Sequence, residues 1–226
     1  AQLTVDGPVS TACAFGGGDG KSIVGNTTLN LKSFTAISSG VNGAGASFSQ
    51  IDKKDVGTKD NPENSFNRVD KVTLNMDSGS LTLLYGGPNG YGYAKDVTLN
   101  INGGTIQYLI GGGSNGRTDK ETINIGEGVS ADYAYTANRG FIGDATINSK
   151  GTIKKMYAGT SGTSDETAVV EGSVEINILA GTVESLEPGA SNSNPIDTSK
   201  ITVKTKSGLV SNESNLSELF TNVTIE

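Results

Sequence analysis

The stretch GGGDGKS, residues 16–22, is the first place along the chain where residue types and spacing could do chemistry. A phosphate-cradling loop needs a glycine, four residues and then Gly-Lys-Ser/Thr. Its backbone N–H groups then curl round the phosphates while the lysine reaches the outermost one. Counting back from Gly20-Lys21-Ser22 puts that first glycine at position 15, where the chain has Phe15. The residues that follow, IVGNTTLNL, are β-branched and alternating where such a loop opens a helix. The nucleotide reading fails on both counts. Histidine is absent from the chain, which excludes Ser-His-Asp triads, Cys-His pairs and His-ligated metals. Carboxylate, Lys, Arg and Tyr chemistry remains.

Those residues form two constellations. Charged residues recur ahead of a repeated strand, at Asp70-Lys71, Lys95-Asp96, Lys120-Glu121, Asp144 and Glu171. A stacked carboxylate row would suit Ca²⁺ or lyase chemistry, but the interleaved lysines make it a solvated ridge of salt bridges. No catalytic residue, metal or cofactor is therefore expected. All seven tyrosines fall between residues 85 and 157. Tyr91, Tyr93, Tyr133 and Tyr135 flank turn-like segments near Arg117 and Arg139, and these six are the candidate ligand-binding set. Tyr and Arg are enriched at binding hot spots; packing of the tyrosines at corners is the alternative. The absence of Trp weakens the case for a sugar-stacking platform.

The elements that must position these residues are β-strands. The chain has 226 residues, 32 of them Gly and only 34% hydrophobic, which reads as an all-β protein with many turns. A net charge of −7 argues against nucleic acid and anionic membrane surfaces as partners. No apolar run approaches the ~20 residues that cross a bilayer, so no membrane insertion is expected. No signal peptide is recognisable, and AQLTV reads as a mature or excised start. Cys13 has no partner for a disulfide and is expected to be a small buried core residue.

A repeat organises the whole chain. The pattern apolar-Thr-apolar-Asn recurs as TTLNL (27–31), VTLNM (72–76), VTLNI (97–101), TINI (122–125), TINS (146–149) and VEINI (174–178), with degenerate copies LTVD (3–6), ITVK (201–204) and VTIE (223–226). Successive second positions, from Thr4 to Thr224, are separated by 24, 45, 25, 24, 24, 29, 27 and 22 residues. Self-similarity at this period marks a solenoid. A second block follows each copy, as in GSLTLLYGG (79–87), GTIQYLIGGG (104–113) and GTIKKMYAG (151–159). Its glycine turn aligns with GGGDGKS, which makes that stretch a recurring corner where glycine supplies φ > 0. A weaker third block leads into the next copy.

Three short strands per coil, joined by corners, would stack into a single parallel β-helix of about eight coils of ~25 residues. It is expected to be right-handed, as parallel crossovers overwhelmingly are. Alternation puts Leu29, Leu74, Leu99, Ile123, Ile147, Ile176 and Val203 in one inward rank, with a Thr rank and an Asn rank outward. Asn stacked on Asn would stabilise the coils through amide hydrogen bonds.

With INGGTIQYLIGGG (101–113) and SGSLTLLYGG (78–87) beside VTLNI, the chain resembles the β-solenoid segments of bacterial surface proteins and adhesins. Phage fibre and tailspike segments look similar. The resemblance covers most of the chain and brings no catalytic residues with it. It implies a non-enzymatic domain, extracellular or at the cell surface, that displays a binding face to a host glycan or protein. The alternatives are a phage structural segment, a β-helix polysaccharide lyase or hydrolase, and an ice-binding protein using the Thr and Asn ranks. The reading is of one domain over 1–226, with no oligomeric state implied. The 45-residue step holds an inserted loop around 46–70, and SNESNLSELF (211–220) breaks the strand pattern as a C-terminal cap. No cap is recognisable at the N-terminal end, which suggests excision from a longer protein or contact with another chain.

Overall fold

The computed structural model describes residues 1–7, 10–17, 23–46, 68–89, 92–114, 116–137, 140–160, 169–190 and 196–226. Its first face is a ladder of nine parallel strands: β1 (Gln2–Val5), β3 (Ile23–Leu31), β6 (Arg68–Met76), β9 (Tyr93–Ile110), β10 (Arg117–Ala137), β11 (Phe141–Ser149), β14 (Val174–Ile178), β16 (Ile201–Thr205) and β17 (Asn222–Ile225), paired in that order. The second face runs through β2 (Ser10–Phe15), β4 (Ala36–Asn42), β7 (Ser80–Tyr85), the later halves of β9 and β10, β12 (Thr152–Thr160) and β15 (Thr182–Glu187). Two short strands, β5 (Gly45–Ala46) and β8 (Pro88–Asn89), pair at a corner, and β13 (Val169–Val170) lies beside the start of β11. Stacked coils thus form a parallel β-solenoid of about six turns. The repeat count of eight is higher because the last copies, at β16 and β17, have a first-face strand and no second-face strand after it. Beyond β15 that face continues through the bridge from Val183 to Val210.

The inward rank is in register across the coils, from Leu29 through Leu74, Leu99, Ile123, Ile147 and Ile176 to Val203. Every member is buried. At both chain ends the pairing slips by two residues from the repeat alignment: Thr4 pairs with Asn30 and Thr224 with Lys204. Side chains alternate with a period of two, so a slip of two keeps every residue on its face. The sequence pattern alone therefore accepts either register.

The third block does not form a separate strand in the central coils. In RVDKVTLNM the inward residues are Val69 and Val72, with Asp70 and Lys71 between them facing out. The same skip occurs at Thr82-Leu83 on β7. Two consecutive outward residues bend the coil while the hydrogen-bonded ladder continues, so the expected corners are bends within long strands.

The glycines also act differently from the expectation. Positive φ occurs at Gly79 (+109°), Gly104 (+107°) and Gly181 (+74°), the first residues of the second block. In the glycine turn after it, Gly16, Gly43, Gly86 and Gly111 stack, donating their N–H groups to the carbonyls of Asn42, Tyr85, Ile110 and Tyr135 on the next coil. A Cβ on Gly86 would collide with the Gly111 carbonyl, so close approach of successive coils is what demands glycine there. Residues 18–22 of the GGGDGKS stretch lie outside the described residues, as does most of the insertion, 47–67. Cys13 is exposed, against expectation, because its neighbour Ala14 takes the inward position on β2.

Residues 211–220 hold a 3₁₀ turn (Glu213–Asn215) and a one-turn helix, α1 (Leu216–Leu219), whose Leu216 joins the core together with Phe220. Asn212 extends the second-face ladder without a strand. Its amide Nδ2 donates to the Leu186 carbonyl (3.1 Å) and its Oδ1 accepts from the Leu186 N–H (3.0 Å).

Candidate functional site

The six residues named from sequence do not converge on one patch. Tyr91 and Arg139 lie outside the described residues. Tyr93 and Arg117 are neighbours on adjacent coils at the starts of β9 and β10, and both are buried, 2% and 3% exposed. Arg117 is committed to two carboxylates: Nε donates to Asp119 (2.7 Å) and a terminal nitrogen to Glu171 (2.9 Å). The Tyr93 hydroxyl donates to the other Asp119 oxygen (2.6 Å), and burial, reinforced by that bond, pushes its pKa up. Below, Arg68 binds Asp70 (2.8 Å) with its guanidinium 6.0 Å from the centre of the Tyr93 ring. This corner is an internal clasp between coils. Truncation of Arg117 would leave Asp119 and Glu171 without the guanidinium that pairs with both. Arg117→Ala is expected to cost about 3–5 kcal/mol in denaturant unfolding, and a loss below 1 kcal/mol would show the clasp to be dispensable.

Tyr133 and Tyr135 lie on the second face, near the end of β10, and there they have company. The Tyr108 and Tyr133 rings stack at 5.0 Å and 9°, Tyr133 and Tyr135 at 6.1 Å and 10°, and Tyr135 and Tyr157 at 4.8 Å and 4°. Two outward columns build this ladder: Leu83, Tyr108 and Tyr133 in one, and Tyr85, Ile110, Tyr135 and Tyr157 in the other. Tyr85, Ile110 and Tyr135 are buried against half-buried Leu83, Tyr108, Tyr133 and Tyr157, a cluster separate from the main core. Desolvation, then the neighbouring phenols, raises the pKa of Tyr135, so its hydroxyl stays protonated. Rings stacked along the solenoid axis use their faces on one another and turn edges and hydroxyls outward. The ladder ends at Tyr157, where the next coil carries Ser185 and Glu187 in place of aromatic residues. A cavity of about 280 Å³ opens there, lined by Lys155, Tyr157, Ser185, Glu187 and Gly189.

The six residues named from sequence leave Tyr108 and Tyr157 out of the site. The spacing of 25, 25 and 22 residues from 83 through 108 and 133 to 155 carried the signal. It was obscured because Leu83 and Lys155 occupy the ends. The charged ridge was misread at one point as well. The register aligns Lys71, Asp96, Lys120 and Asp144 outward, and places Glu121 in the inward column of Val72 and Val97. Glu121 is 1% exposed, neither of its oxygens has a hydrogen-bond partner among the described residues, and burial drives its pKa well up.

On the first face, the Asn rank forms a continuous amide ladder. Each Nδ2 donates to the Oδ1 one coil earlier, from Asn177 down through Asn148, Asn124, Asn100 and Asn75 to Asn30, at 2.8–3.0 Å. Glu175 interrupts the Thr rank and Lys204 ends the Asn rank, and the two form an ion pair at 2.5 Å. Among the described residues no group of three His, Cys, Asp or Glu side chains could hold a metal ion. No helix among them is long and apolar enough to cross a membrane. No family model, curated protein or solved structure matches the chain.

Proposed function

We propose that this chain is a non-enzymatic display domain, extracellular or at a cell surface, whose tyrosine face binds a partner protein. The observation that carries the reading is the ladder of four stacked tyrosines from three successive coils, with Tyr108, Tyr133 and Tyr157 half-buried on buried Tyr135, ending beside a cavity. Rigid, pre-stacked aromatic side chains lose little entropy on binding, and Tyr is enriched where binding energy concentrates. Their outward edges and hydroxyls suit a protein surface with hydrogen-bonding groups better than the flat face of a sugar ring. The motifs shared with bacterial surface β-solenoids agree with this role, and the absence of His removes the commonest general base from any enzymatic alternative.

A host-protein and glycan array tests the proposal. A specific protein signal is expected, weakened about tenfold or more in Tyr133→Ala and Tyr157→Ala while the unfolding midpoint stays near that of the parent. Equal signals from parent and both variants would remove the tyrosine face from the proposal. Release of reducing ends from a polysaccharide panel would replace it with an enzyme.

A further inference from the structure

The outward column beside the Asn ladder runs Asp77, Asn102, Gly126, Lys150 and Leu179, the residues following Met76, Ile101, Ile125, Ser149 and Ile178. It is broken in the middle. Between the faces, the coils of β6 and β9 have three corner residues each (77–79 and 102–104), that of β10 has four (126–129), and the next has two (150–151). The extra residue is a bulge, where the pairing of β9 with β10 shifts between Ile125 and Gly128. A Cβ on Gly126 would press on Asn102 and the Ile101 carbonyl, so the bulge leaves no side chain over this point. The result is a groove of about 630 Å³ whose floor is Asn75, Asn100, Asn124 and Asn148. Asn102 bounds it on one side of the gap, Lys150 and Leu179 on the other. Leu179 is 44% exposed, one of the few large apolar side chains so placed.

We infer that this groove binds a linear, uncharged, hydroxyl-rich glycan lying along the solenoid axis. Each floor amide spends one N–H and one lone pair within the ladder, and keeps one N–H and one lone pair for a ligand. A donor and an acceptor thus recur at every strand spacing of about 4.8 Å. Hydroxyl groups both donate and accept, so a chain of them meets this array without leaving either function unpaired. Leu179 supplies apolar surface for the C–H face of a sugar ring. A polyanion is disfavoured by a single cation in the groove, Lys150, against a net charge of −7. A peptide strand finds no free backbone edge here, because the floor strands pair on both sides. The groove lies on the first face, apart from the tyrosine ladder, and the inference stands independently of the proposed protein contact.

Affinity electrophoresis through gels containing dextran, mannan or mixed-linkage β-glucan, with polygalacturonate as the anionic comparison, tests it. At least one neutral polymer is expected to retard the full chain. Leu179→Glu, an exposed change at the groove wall, is expected to weaken that retardation about tenfold, a loss near 1.4 kcal/mol. Tyr157→Ala is expected to leave it within about twofold, since that residue stands on the other face. Absence of retardation by every neutral polymer, retardation by polygalacturonate alone, or an undiminished effect in Leu179→Glu would overturn the inference. So would equal loss in Tyr157→Ala. Loss of array signal in the tyrosine variants with intact glycan retardation separates the two sites.

Discussion

Leu99→Asp is expected to remove most of the stability of the solenoid, about 4–5 kcal/mol or more in denaturant unfolding. Leu99 is fully buried, flanked in its column by Leu74 on one coil and Ile123 on the other. A carboxylate there has no cation to meet and no water to solvate it, so the native state either holds an unpaired charge or forces it to take a proton. Both cost free energy on a scale comparable to the total stability of a typical domain, which is only about 5–15 kcal/mol. Because each coil contacts chiefly its neighbours, the damage propagates by uncoupling the two halves of the stack. Leu99→Ala should cost less, about 2–5 kcal/mol, from lost transfer energy and a cavity. Thr98→Asp, one residue away on the outward face, should stay within about 0.5 kcal/mol of the parent. If Leu99→Asp and Thr98→Asp unfold at the same denaturant concentration, the inward column is misassigned.

Glu121 gives the second large effect, and it depends on pH. The side chain points into the core beside the glycine corner formed by Gly111 and Gly112, between Val97 and Ala145 of the adjacent coils. The nearby Thr118 hydroxyl has no partner either. Arg117 is held by Asp119 and Glu171, and Lys120 faces solvent, so neither neighbouring cation offsets a charge on Glu121. Burial therefore holds the carboxyl in its protonated form, well above the ordinary 4.5. A group whose folded pKa is raised binds its proton more tightly in the native state than in the unfolded chain. Its native state is favoured fully below about 4.5 and loses ground as pH rises toward the folded pKa.

Glu175 and Asp197 have the opposite sign. The hydrogen bond from Lys204 lowers the first and those from Ser199 lower the second, so their contributions fade only on acidification below the usual carboxylate range. Burial raises the pKa of Tyr93 and Tyr135, so neither phenol ionises near neutrality. A fall in stability from pH 5 toward 8 is thus the effect expected of Glu121. Glu121→Gln, which cannot ionise, is expected to flatten the melting temperature across that window and to exceed the parent at pH 8. A parent whose melting temperature is level from pH 5 to 8, or a variant with the same slope, would show that Glu121 is not the buried proton acceptor.

The sequence by itself determined the repeat, the inward rank from Leu29 to Val203 and the Asn ladder. These follow from alternation with a period of two and from near-identical copies about 25 residues apart, both of which are local properties of the chain. It also identified 211–220 as a break in the strand pattern, because Leu216, Leu219 and Phe220 follow helical spacing. Four matters were decided only by the tertiary structure: the two-residue slips at Thr4 and Thr224, the inward turn of Glu121, the burial of Tyr93 and Arg117, and the gap above Gly126. The slips leave every side chain on its face; the other three depend on where a bend places two outward residues in succession or where a bulge adds one. Such a step reverses the facing of the side chains beyond it without leaving a mark in composition. Hydrogen bonding between coils selects the register, and those bonds join residues some 25 positions apart in the chain, beyond the reach of any local pattern.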